Sequence, residues 1–334
     1  MVLDLPFIWA GIIAFAVLVY VVLDGFDLGV GILFPFAKDS HDHDVMMNSV
    51  APVWDGNETW LVMGGGGLFA AFPLAYATIL PALYMPIIIM LLALVFRGVA
   101  FEYRWRTVRW RRVWDVSFFG GSFVATLMQG IVLGALVQGI EIKNRAYAGG
   151  WWDWLTPFSI LTGIAVVCGY TLLGSTWLVM KTEGALQMRM RNISWKFAVT
   201  TLIFVGLVSI VTPFLYPVYI ERWFTFPAAY FSLIVPLLVL FAIWKLFSGF
   251  INQNDYAPFL SSLAIFVLGF IGIGISFYPH IVPPSLTIAE AAAPAKSLEF
   301  ALLGTVILVP LILAYTAYSY WVFRGKVNSA KGYH

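Results

Sequence analysis

The chain has 334 residues, of which 61% are hydrophobic and 11% are charged, and its formal net charge is +2. Soluble domains carry about 25% charged residues, so the composition excludes an ordinary soluble protein. The basic residues lie in short connections between apolar runs, which excludes a nucleic-acid-binding patch. A single cysteine, Cys168, excludes an intramolecular disulfide, and the usual thiol metal spacings are absent.

Apolar runs recur along the whole chain, and a run of about 20 residues can cross a hydrocarbon core of about 30 Å. Because backbone polar groups must be satisfied inside lipid, these runs predict helices. We predict an all-α polytopic membrane protein with a single transmembrane domain, 1–334. Its nine predicted spans, in chain order, are 7–34, 58–79, 82–101, 116–138, 155–180, 195–216, 227–247, 257–279 and 299–323.

The distribution of basic residues predicts the orientation of the spans. Of the nineteen Lys and Arg residues, fourteen follow odd-numbered spans, four lie on the opposite side and Arg97 lies within a span. This split predicts an N-terminus outside the membrane and a C-terminus in the cytoplasm. The outer connection 280–298 has no core pattern, so we expect it to pack on a partner or to be mobile.

The first span contains two carboxylates, Asp24 and Asp27, which are three residues apart and so share one face of a helix. Ionisable residues within spans are costly and are commonly functional. The pair is a candidate for proton transfer or for contact with a cofactor. The alternative is a structural group that joins helices by hydrogen bonds. Gly25 and Gly29, four residues apart, predict the close approach of another helix.

A second polar group, Trp54-Asp55-Gly56-Asn57-Glu58, stands where the chain re-enters the membrane from the predicted cytoplasmic side. Asp55 fits a helix N-cap, and it also fits a site of proton uptake, with Glu58 close by. Four glycines, 64–67, follow inside the span. Such a run is costly unless helices pack very closely there or a flat ligand lies against them.

The third group begins with Arg97 near the end of the third span. Its side chain either extends to the surface or pairs with one of the carboxylates. Glu102 and Arg106 have the i,i+4 spacing of a helical ion pair. Asp115 is predicted to cap the fourth span. The three groups fall on one side of the membrane and suggest a polar path from the cytoplasm into the helices.

The four histidines are His41, His43, His280 and His334, and none lies within a predicted span. A haem held between helices needs axial ligands, so a bis-His haem in this chain is not expected. No metal site and no catalytic residue is predicted.

Five segments resemble subunit II of cytochrome bd-type quinol oxidases, in order along the whole chain. They are 24–31 (DGFDLGVG), 48–57 (NSVAPVWDGN), 96–104 (FRGVAFEYR), 278–285 (YPHIVPPS) and 309–316 (VPLILAYT).

The resemblance implies nine helices arranged as two four-helix bundles plus one peripheral helix, in the bacterial inner membrane. It implies a partner, subunit I, which carries the b-type haems, the d-type haem and the quinol-oxidising loop. The length of the chain is closer to the cyanide-insensitive variant, in which another b-type haem replaces the d-type haem. Small accessory subunits, membrane lipids and a structural quinone are further partners within such complexes.

In this family subunit II supports assembly of the haem centres and lines a proton route from the cytoplasm. The resemblance places Asp55, Glu102 and Arg106 on that route, where some members have Asp and Lys at the last two positions. Arginine stays charged, which disfavours a proton relay at Arg106. The remaining candidates, from the residues alone, are Glu58, Asp24 and Asp27, with Arg97, Trp54 and Asp115 as structural or pairing residues. The alternative function is an ion-coupled secondary transporter, although such folds usually show inverted repeats.

Overall fold

A computed structural model of the chain describes residues 4–327, so Lys331 and His334 lie outside the described residues. Helices make up most of this region, as the composition predicts. The helices are α1 (Leu5–Ile32), α2 (Ser40–Val50), α3 (Trp54–Ala71), α4 (Pro73–Ala82), α5 (Tyr84–Arg106), α6 (Arg111–Val137), α7 (Pro157–Lys181), α8 (Gly184–Val211), α9 (Pro217–Phe224), α10 (Ala228–Ser232), α11 (Ile234–Ile251), α12 (Ala257–Phe277), α13 (Ile288–Ala291) and α14 (Ala295–Val322). Two antiparallel hairpins join β1 (Ile142–Lys143) to β2 (Ala146–Tyr147) and β3 (His280–Val282) to β4 (Leu286–Thr287).

Within the described residues, eight helices are long and apolar enough to cross a membrane, namely α1, α5, α6, α7, α8, α11, α12 and α14. The predicted span 58–79 is divided between α3 and α4, which are separated at Phe72. Phe72 precedes Pro73, and the proline ring disfavours the helical conformation of the residue before it. Its backbone angles, φ −133° and ψ 63°, leave the helical region.

Two other predicted boundaries differ from the structure. The span predicted at 195–216 covers the second part of α8 and the short 3-10 turn Thr212–Phe214 after it, whereas α8 itself begins eleven residues earlier at Gly184. Charged residues in this first part favour helix as well as apolar ones do, so the charges do not mark its start. The span predicted at 227–247 begins at Ile234, after the short helices α9 and α10.

The helices run between two ends that we name by their residues. The basic end carries the α5–α6 connection, with Arg106, Arg109 and Arg111; the hairpin end carries β1–β4. Helix α1 begins at the hairpin end, where Trp9 packs with Val282, and the following helices alternate in direction. Helices α3 and α4 together run from the basic end to the hairpin end, where α4 contacts β2 and β3.

The contact of α1 with α7 is a close approach of two backbones. A Cβ at Gly29 would lie 1.8 Å from the carbonyl oxygen of Tyr170, and one at Gly174 would lie 2.3 Å from the carbonyl carbon of Gly29. A Cβ at Gly25 would lie 2.9 Å from the Tyr170 ring. The close approach predicted from the spacing of Gly25 and Gly29 is therefore present, and α7 is the partner.

Of the four glycines 64–67 in α3, two pack against α1 and two are exposed. A Cβ at Gly64 or Gly67 would lie 3.2 Å from side chains of α1. Gly65 and Gly66 are exposed and have no atom of the described chain within 4 Å of an added Cβ. Only half of the run is thus explained by close packing within this chain.

The connection 280–298 packs on its own chain, so the expectation that it lacks a core pattern is wrong, while packing on a partner stays a prediction. Val282, Leu286, Ala291 and Leu298 are buried in the core of the hairpin end. Val282 and Leu286 are buried in the β3–β4 hairpin, whereas Ala291 and Leu298 are buried in α13 and at the start of α14.

Candidate functional site

The centre of the candidate site is Arg97 of α5, whose side chain is fully buried. Its Nη1 donates a hydrogen bond to Oε1 of Glu58 at 2.8 Å and lies 3.7 Å from Oδ1 of Asp24. The guanidinium also lies over three aromatic rings, with centroid distances of 5.9 Å to Trp54, 5.4 Å to Phe101 and 5.9 Å to Phe118. Of the two alternatives for Arg97, the structure shows pairing rather than extension to the surface.

The aromatic residues below the guanidinium are themselves stacked. The rings of Trp54 and Phe101 lie 4.6 Å apart at an interplanar angle of 7°. Trp54 thereby fixes the start of α3 against α5, and Glu58, one turn further along α3, is held beside Arg97. This stacking explains how a residue near the end of one helix meets a carboxylate near the start of another.

The second carboxylate of α1, Asp27, is bound through an amide. Asn57 Nδ2 donates to Asp27 Oδ2 at 2.5 Å and to the Leu23 carbonyl at 3.3 Å. The hydroxyl of Tyr320, on α14, donates to Asn57 Oδ1 at 3.0 Å. Asp27 therefore receives a donor from α3, which in turn is held by α14.

A further polar chain continues from Asp24 towards the hairpin end. Tyr20, one turn before Asp24 on α1, faces its carboxylate. Gln129 Nε2 donates to the Tyr20 hydroxyl at 2.7 Å, and the Tyr170 hydroxyl donates to Gln129 Oε1 at 3.0 Å. The buried polar residues thus extend from α3 and α5 through α1 to α6 and α7.

Several polar atoms of this cluster have no hydrogen-bond partner among the described residues. They include Asp27 Oδ1 and the Nε and Nη2 donors of Arg97. A buried polar atom without a partner costs about 1–3 kcal/mol, and more when the group is charged. Because these unpartnered polar atoms oppose stability, we infer that the cluster around Arg97 is present for function.

The cluster reaches the surface through α3. The Glu58 side chain is 24% exposed, whereas those of Arg97 and Asp24 are fully buried. Asp55, three residues before Glu58, is exposed and lies in the first turn of α3. The N-cap of α3 is Val53, so the interpretation of Asp55 as the cap is wrong. The N-cap lies two residues before Asp55, so Asp55 is already inside the first turn of α3, where its side chain faces solvent.

Glu102 and Arg106 do not join the cluster. They form the predicted i,i+4 pair, at 3.3 Å, with side chains 63% and 75% exposed. The intervening residue Arg104 points the other way and is 1% exposed. A helix turns through about 100° per residue, so residues two apart face different sides of α5.

Arg104 forms a second ionic group at the basic end. Its Nε lies 2.5 Å from Asp115 Oδ1, and its Nη1 lies 2.7 Å from Asp44 Oδ1, which also binds Arg111. Asp115 does not cap α6, because α6 begins at Arg111 after the N-cap Trp110. The expected cap is wrong, and the carboxylate instead pairs across to α5.

Two further carboxylates hold the connections of the basic end together. Burial of Asp42 opposes ionisation, but hydrogen bonds from Arg189 and the Lys38 amide hold its pKa below the ordinary value. Asp255 behaves alike: hydrogen bonds from Lys326 and Arg191 outweigh its partial burial and lower its pKa. Both groups are therefore ionised at neutral pH and fix α2 and the α11–α12 connection to α8.

Sequence reasoning missed several members of the cluster. Asn57 lies inside a motif that was singled out, but its amide was given no role. Tyr20, Gln129 and Tyr320 are ordinary residues for a membrane helix, and only their meeting in space distinguishes them. Arg104 has no sequence signal that separates it from the neighbouring arginines, and its pairing with Asp44 depends on the position of α2 beside α5.

The described histidines lie outside the spanning helices, with His41 and His43 in α2 and His280 in β3. His43 Nδ1 lies 2.9 Å from the Asp39 carbonyl, which is a contact within its own helix turn. Among residues 4–327, no group of three or more His, Cys, Asp or Glu side chains is placed to hold a metal ion. The histidines that the structure describes thus do not fit the axial ligands of a haem between helices.

Comparison with known proteins gives a consistent result. The model of the family described as cytochrome bd terminal oxidase subunit II matches residues 5–323. Cytochrome bd-I ubiquinol oxidase subunit 2 of Escherichia coli K12 is 31% identical over 362 aligned residues, covering 97% of this chain and 95% of that protein. Cytochrome bd ubiquinol oxidase subunit 2 of Bacillus subtilis 168 is 31% identical, with 96% of each chain covered.

The fold is also similar to a solved structure. A chain in the structure of bd oxidase from Geobacillus thermodenitrificans has a TM-score of 0.78 with this chain and a sequence identity of 16%. The similarity covers 96% of this chain and 99% of that one.

Proposed function

This chain belongs to the family of subunit II of cytochrome bd terminal oxidases, and from that premise we propose how it serves the complex. It is the haem-free partner of a haem-bearing subunit I in a quinol:oxygen oxidoreductase of the respiratory chain. Subunit I holds the b-type haems and, where present, the d-type haem. This chain stabilises that subunit and delivers protons from the cytoplasm for the reduction of oxygen to water. The alternative of an ion-coupled transporter is not supported, since the family is that of an oxidase subunit.

The proposed arrangement in the membrane has nine crossings. Eight are the long apolar helices, and α3 with α4 forms the ninth in two pieces, because together they pass from the basic end to the hairpin end. Helices α1, α3, α5 and α6 form one bundle; α7, α8, α11 and α12 form the other; α14 is peripheral. The Leu172–Ala198–Leu246–Ile265 core joins the four helices of the second bundle.

The observation that carries the proton proposal is the buried contact of Glu58 and Asp24 with one guanidinium, that of Arg97. Proton transfer needs groups that exchange protons, a path between them and a start at the surface. Asp55, in the first turn of α3, is exposed; Glu58, three residues further along α3, is partly exposed; Asp24 and Asp27 of α1 are buried. Glu102 and Arg106 remain surface residues near this route, where their charges would influence proton uptake.

The same proposal sets the location and further partners of the chain. The protein lies in the bacterial inner membrane with the basic end in the cytoplasm, since cytoplasmic connections carry an excess of Lys and Arg. A proton path that opens at the basic end then draws protons from the cytoplasm. Quinol, surrounding lipids, a structural quinone and small accessory subunits are proposed partners of the assembled complex.

The substitution Glu58→Gln tests proton delivery. Glutamine keeps an oxygen that can accept from Arg97, but it cannot carry a proton. We expect an assembled complex with normal haem bands and oxygen reduction slowed by about 10²-fold, the lower end of what a positioned proton-transfer group contributes. The measurement is quinol-driven oxygen consumption per haem in purified complex.

The matched control is Glu183→Gln. Glu183 is an exposed carboxylate at the start of α8, also at the basic end, and its side chain makes no capping hydrogen bond. It should turn over at the parental rate. If the Glu58→Gln complex is fully loaded with haem and consumes oxygen as fast as this control, the proton proposal is wrong and only an assembly role is left.

A further inference from the structure

Helix α14 lies at the outside of the molecule, yet one of its side chains reaches the buried carboxylates. None of the most apolar 18-residue window of α14 is buried. Tyr320, near the end of this helix at the basic end, points inward with its ring edge-on to Phe26 and Trp177, at centroid distances of 6.3 and 6.4 Å. Its hydroxyl then meets the Asn57 amide.

The Asn57 amide is asymmetric, and its two ends have different partners. Its oxygen accepts from the Tyr320 hydroxyl at 3.0 Å, and its nitrogen donates to Asp27 Oδ2 at 2.5 Å. An amide nitrogen can only donate, and it stabilises the charged carboxylate. The rotated amide would present its oxygen to Asp27, and that arrangement suits only the protonated acid.

The amide nitrogen also donates to the Leu23 carbonyl at 3.3 Å, so two acceptors of α1 fix the nitrogen side, and the Tyr320 hydroxyl holds the oxygen side. The substitution Tyr320→Phe would remove the hydrogen bond to the amide oxygen and leave the amide held only by its nitrogen. The position of the Asn57 side chain, and with it the distance of its donor from Asp27, thus depends on a residue of the outermost helix.

Other charged and titratable groups also act on this carboxylate. Asp24 on the same helix, Glu58 on α3 and Arg97 on α5 are the ionic groups that face it. Tyr320 is the neighbour from α14. The net field of these ionic groups is unchanged by removal of a hydroxyl, so the effect of Tyr320 is separable from theirs.

We propose that Tyr320 is a positioning residue for Asp27, acting through the Asn57 amide to hold a donor on the carboxylate. The inference rests on the proposed proton delivery, because it assigns Asp27 a proton that must come and go. It makes the placement of α14 a determinant of proton transfer. A merely structural Tyr320 would fasten α14 and have no effect on how the rate depends on pH.

The test compares Tyr320→Phe with Tyr318→Phe in the assembled complex. Tyr318 is on the same helix but 61% exposed, so it controls for the loss of a hydroxyl from α14. One hydrogen bond corresponds to a change of about two- to tenfold. We expect Tyr320→Phe to slow oxygen reduction by that factor and to move its pH profile upward by about half a unit to one unit, because Asp27 loses a fixed donor to its charged form. Tyr318→Phe should change neither quantity.

A double substitution separates positioning from helix docking. In an Asp27→Asn background, Tyr320→Phe should produce no further loss, since the group on which it acts is gone. A full additional loss in that background would show that Tyr320 acts by docking α14 and would overturn the inference. Equal behaviour of Tyr320→Phe and Tyr318→Phe would overturn it as well.

Failure of this inference is distinguishable from failure of the proposed function. If Glu58→Gln is slow while Asp27→Asn or Tyr320→Phe is normal, proton delivery stands and the role of Tyr320 is wrong. If the Glu58→Gln complex reduces oxygen at the parental rate, the proposed proton route is wrong, and so is this inference, which rests on it.

Discussion

Arg97 is a fully charged side chain removed from water, and its energetics depend on the two carboxylates and three rings that surround it. Bringing such charges out of water is costly, and the mutual attraction repays that cost only while all partners remain. A buried ionic group therefore adds little net stability as a unit. Removal of one member, in contrast, leaves the others uncompensated.

The substitution Arg97→Met follows from this asymmetry. It keeps much of the apolar volume but leaves Glu58 and Asp24 without their cation, which should cost about 3–5 kcal/mol. We expect a markedly lower temperature of irreversible haem loss for the detergent-solubilised complex. Arg106→Met is the control, because Arg106 is 75% exposed and its pair with Glu102 is worth at most about 0.5 kcal/mol. Equal inactivation temperatures for the two variants would contradict the account of the cluster.

At the scale of elements, the packing of α1 on α7 depends on glycine where the two backbones meet. A methyl group at Gly29 would overlap the Tyr170 carbonyl oxygen, so backbone and not a flexible side chain would have to move. Overpacking typically costs about 1–3 kcal/mol, and a contact with backbone belongs at the upper end. The α1 segment that carries Asp24 and Asp27 would move with it.

Gly29→Ala is accordingly expected to lower the yield and thermal stability of the complex. Gly11→Ala, in the same helix, has no neighbouring atom within 4 Å of the added Cβ. It should be neutral or stabilising, because alanine favours a helix over glycine by about 1 kcal/mol. The measurement is the amount of haem-loaded complex per membrane protein, together with its inactivation temperature. A Gly29→Ala complex as abundant and stable as Gly11→Ala would show that the α1–α7 contact adapts easily.

The helices and the polar groups within them could be predicted from sequence because apolar run length and charge inside such a run are local signals. Asp24, Glu58 and Arg97 were singled out on that ground. Which of them meet is set by the rotation of α1, α3 and α5 about their axes, which no local pattern contains. Tyr320 was missed for the same reason: the contact joins residues 263 positions apart.

Helix ends were the least predictable elements. The break at Phe72 has a local cause in Pro73, but apolar residues on both sides concealed it. The caps expected at Asp55 and Asp115 were wrong because the N-caps, Val53 and Trp110, lie two and five residues before these carboxylates. A carboxylate in the first turn and one at the cap produce the same sequence pattern near a helix start.

At the scale of the whole molecule, function depends on which side of the membrane the basic end faces. Glu58 and Asp55 lie towards that end, so orientation decides whether the proposed path takes protons from the cytoplasm or from outside. Oxygen reduction that consumes cytoplasmic protons, while quinol releases its own outside, separates charge across the membrane. With the reverse orientation, this charge separation across the membrane would be lost.

Cysteine labelling of intact spheroplasts tests the orientation. The background is Cys168→Ala, since Cys168 is buried and is the only cysteine of the sequence. Val108→Cys reports on the basic end, where Val108 is 95% exposed, and Asn144→Cys reports on the exposed turn of the β1–β2 hairpin. An impermeant maleimide should label Asn144→Cys directly and Val108→Cys only after permeabilisation, because the Arg-rich α5–α6 connection belongs on the cytoplasmic side. Labelling of Val108→Cys from outside would place the start of the proposed path on the wrong side of the membrane and exclude electrogenic proton uptake through Glu58, whatever the rates of the variants at that residue.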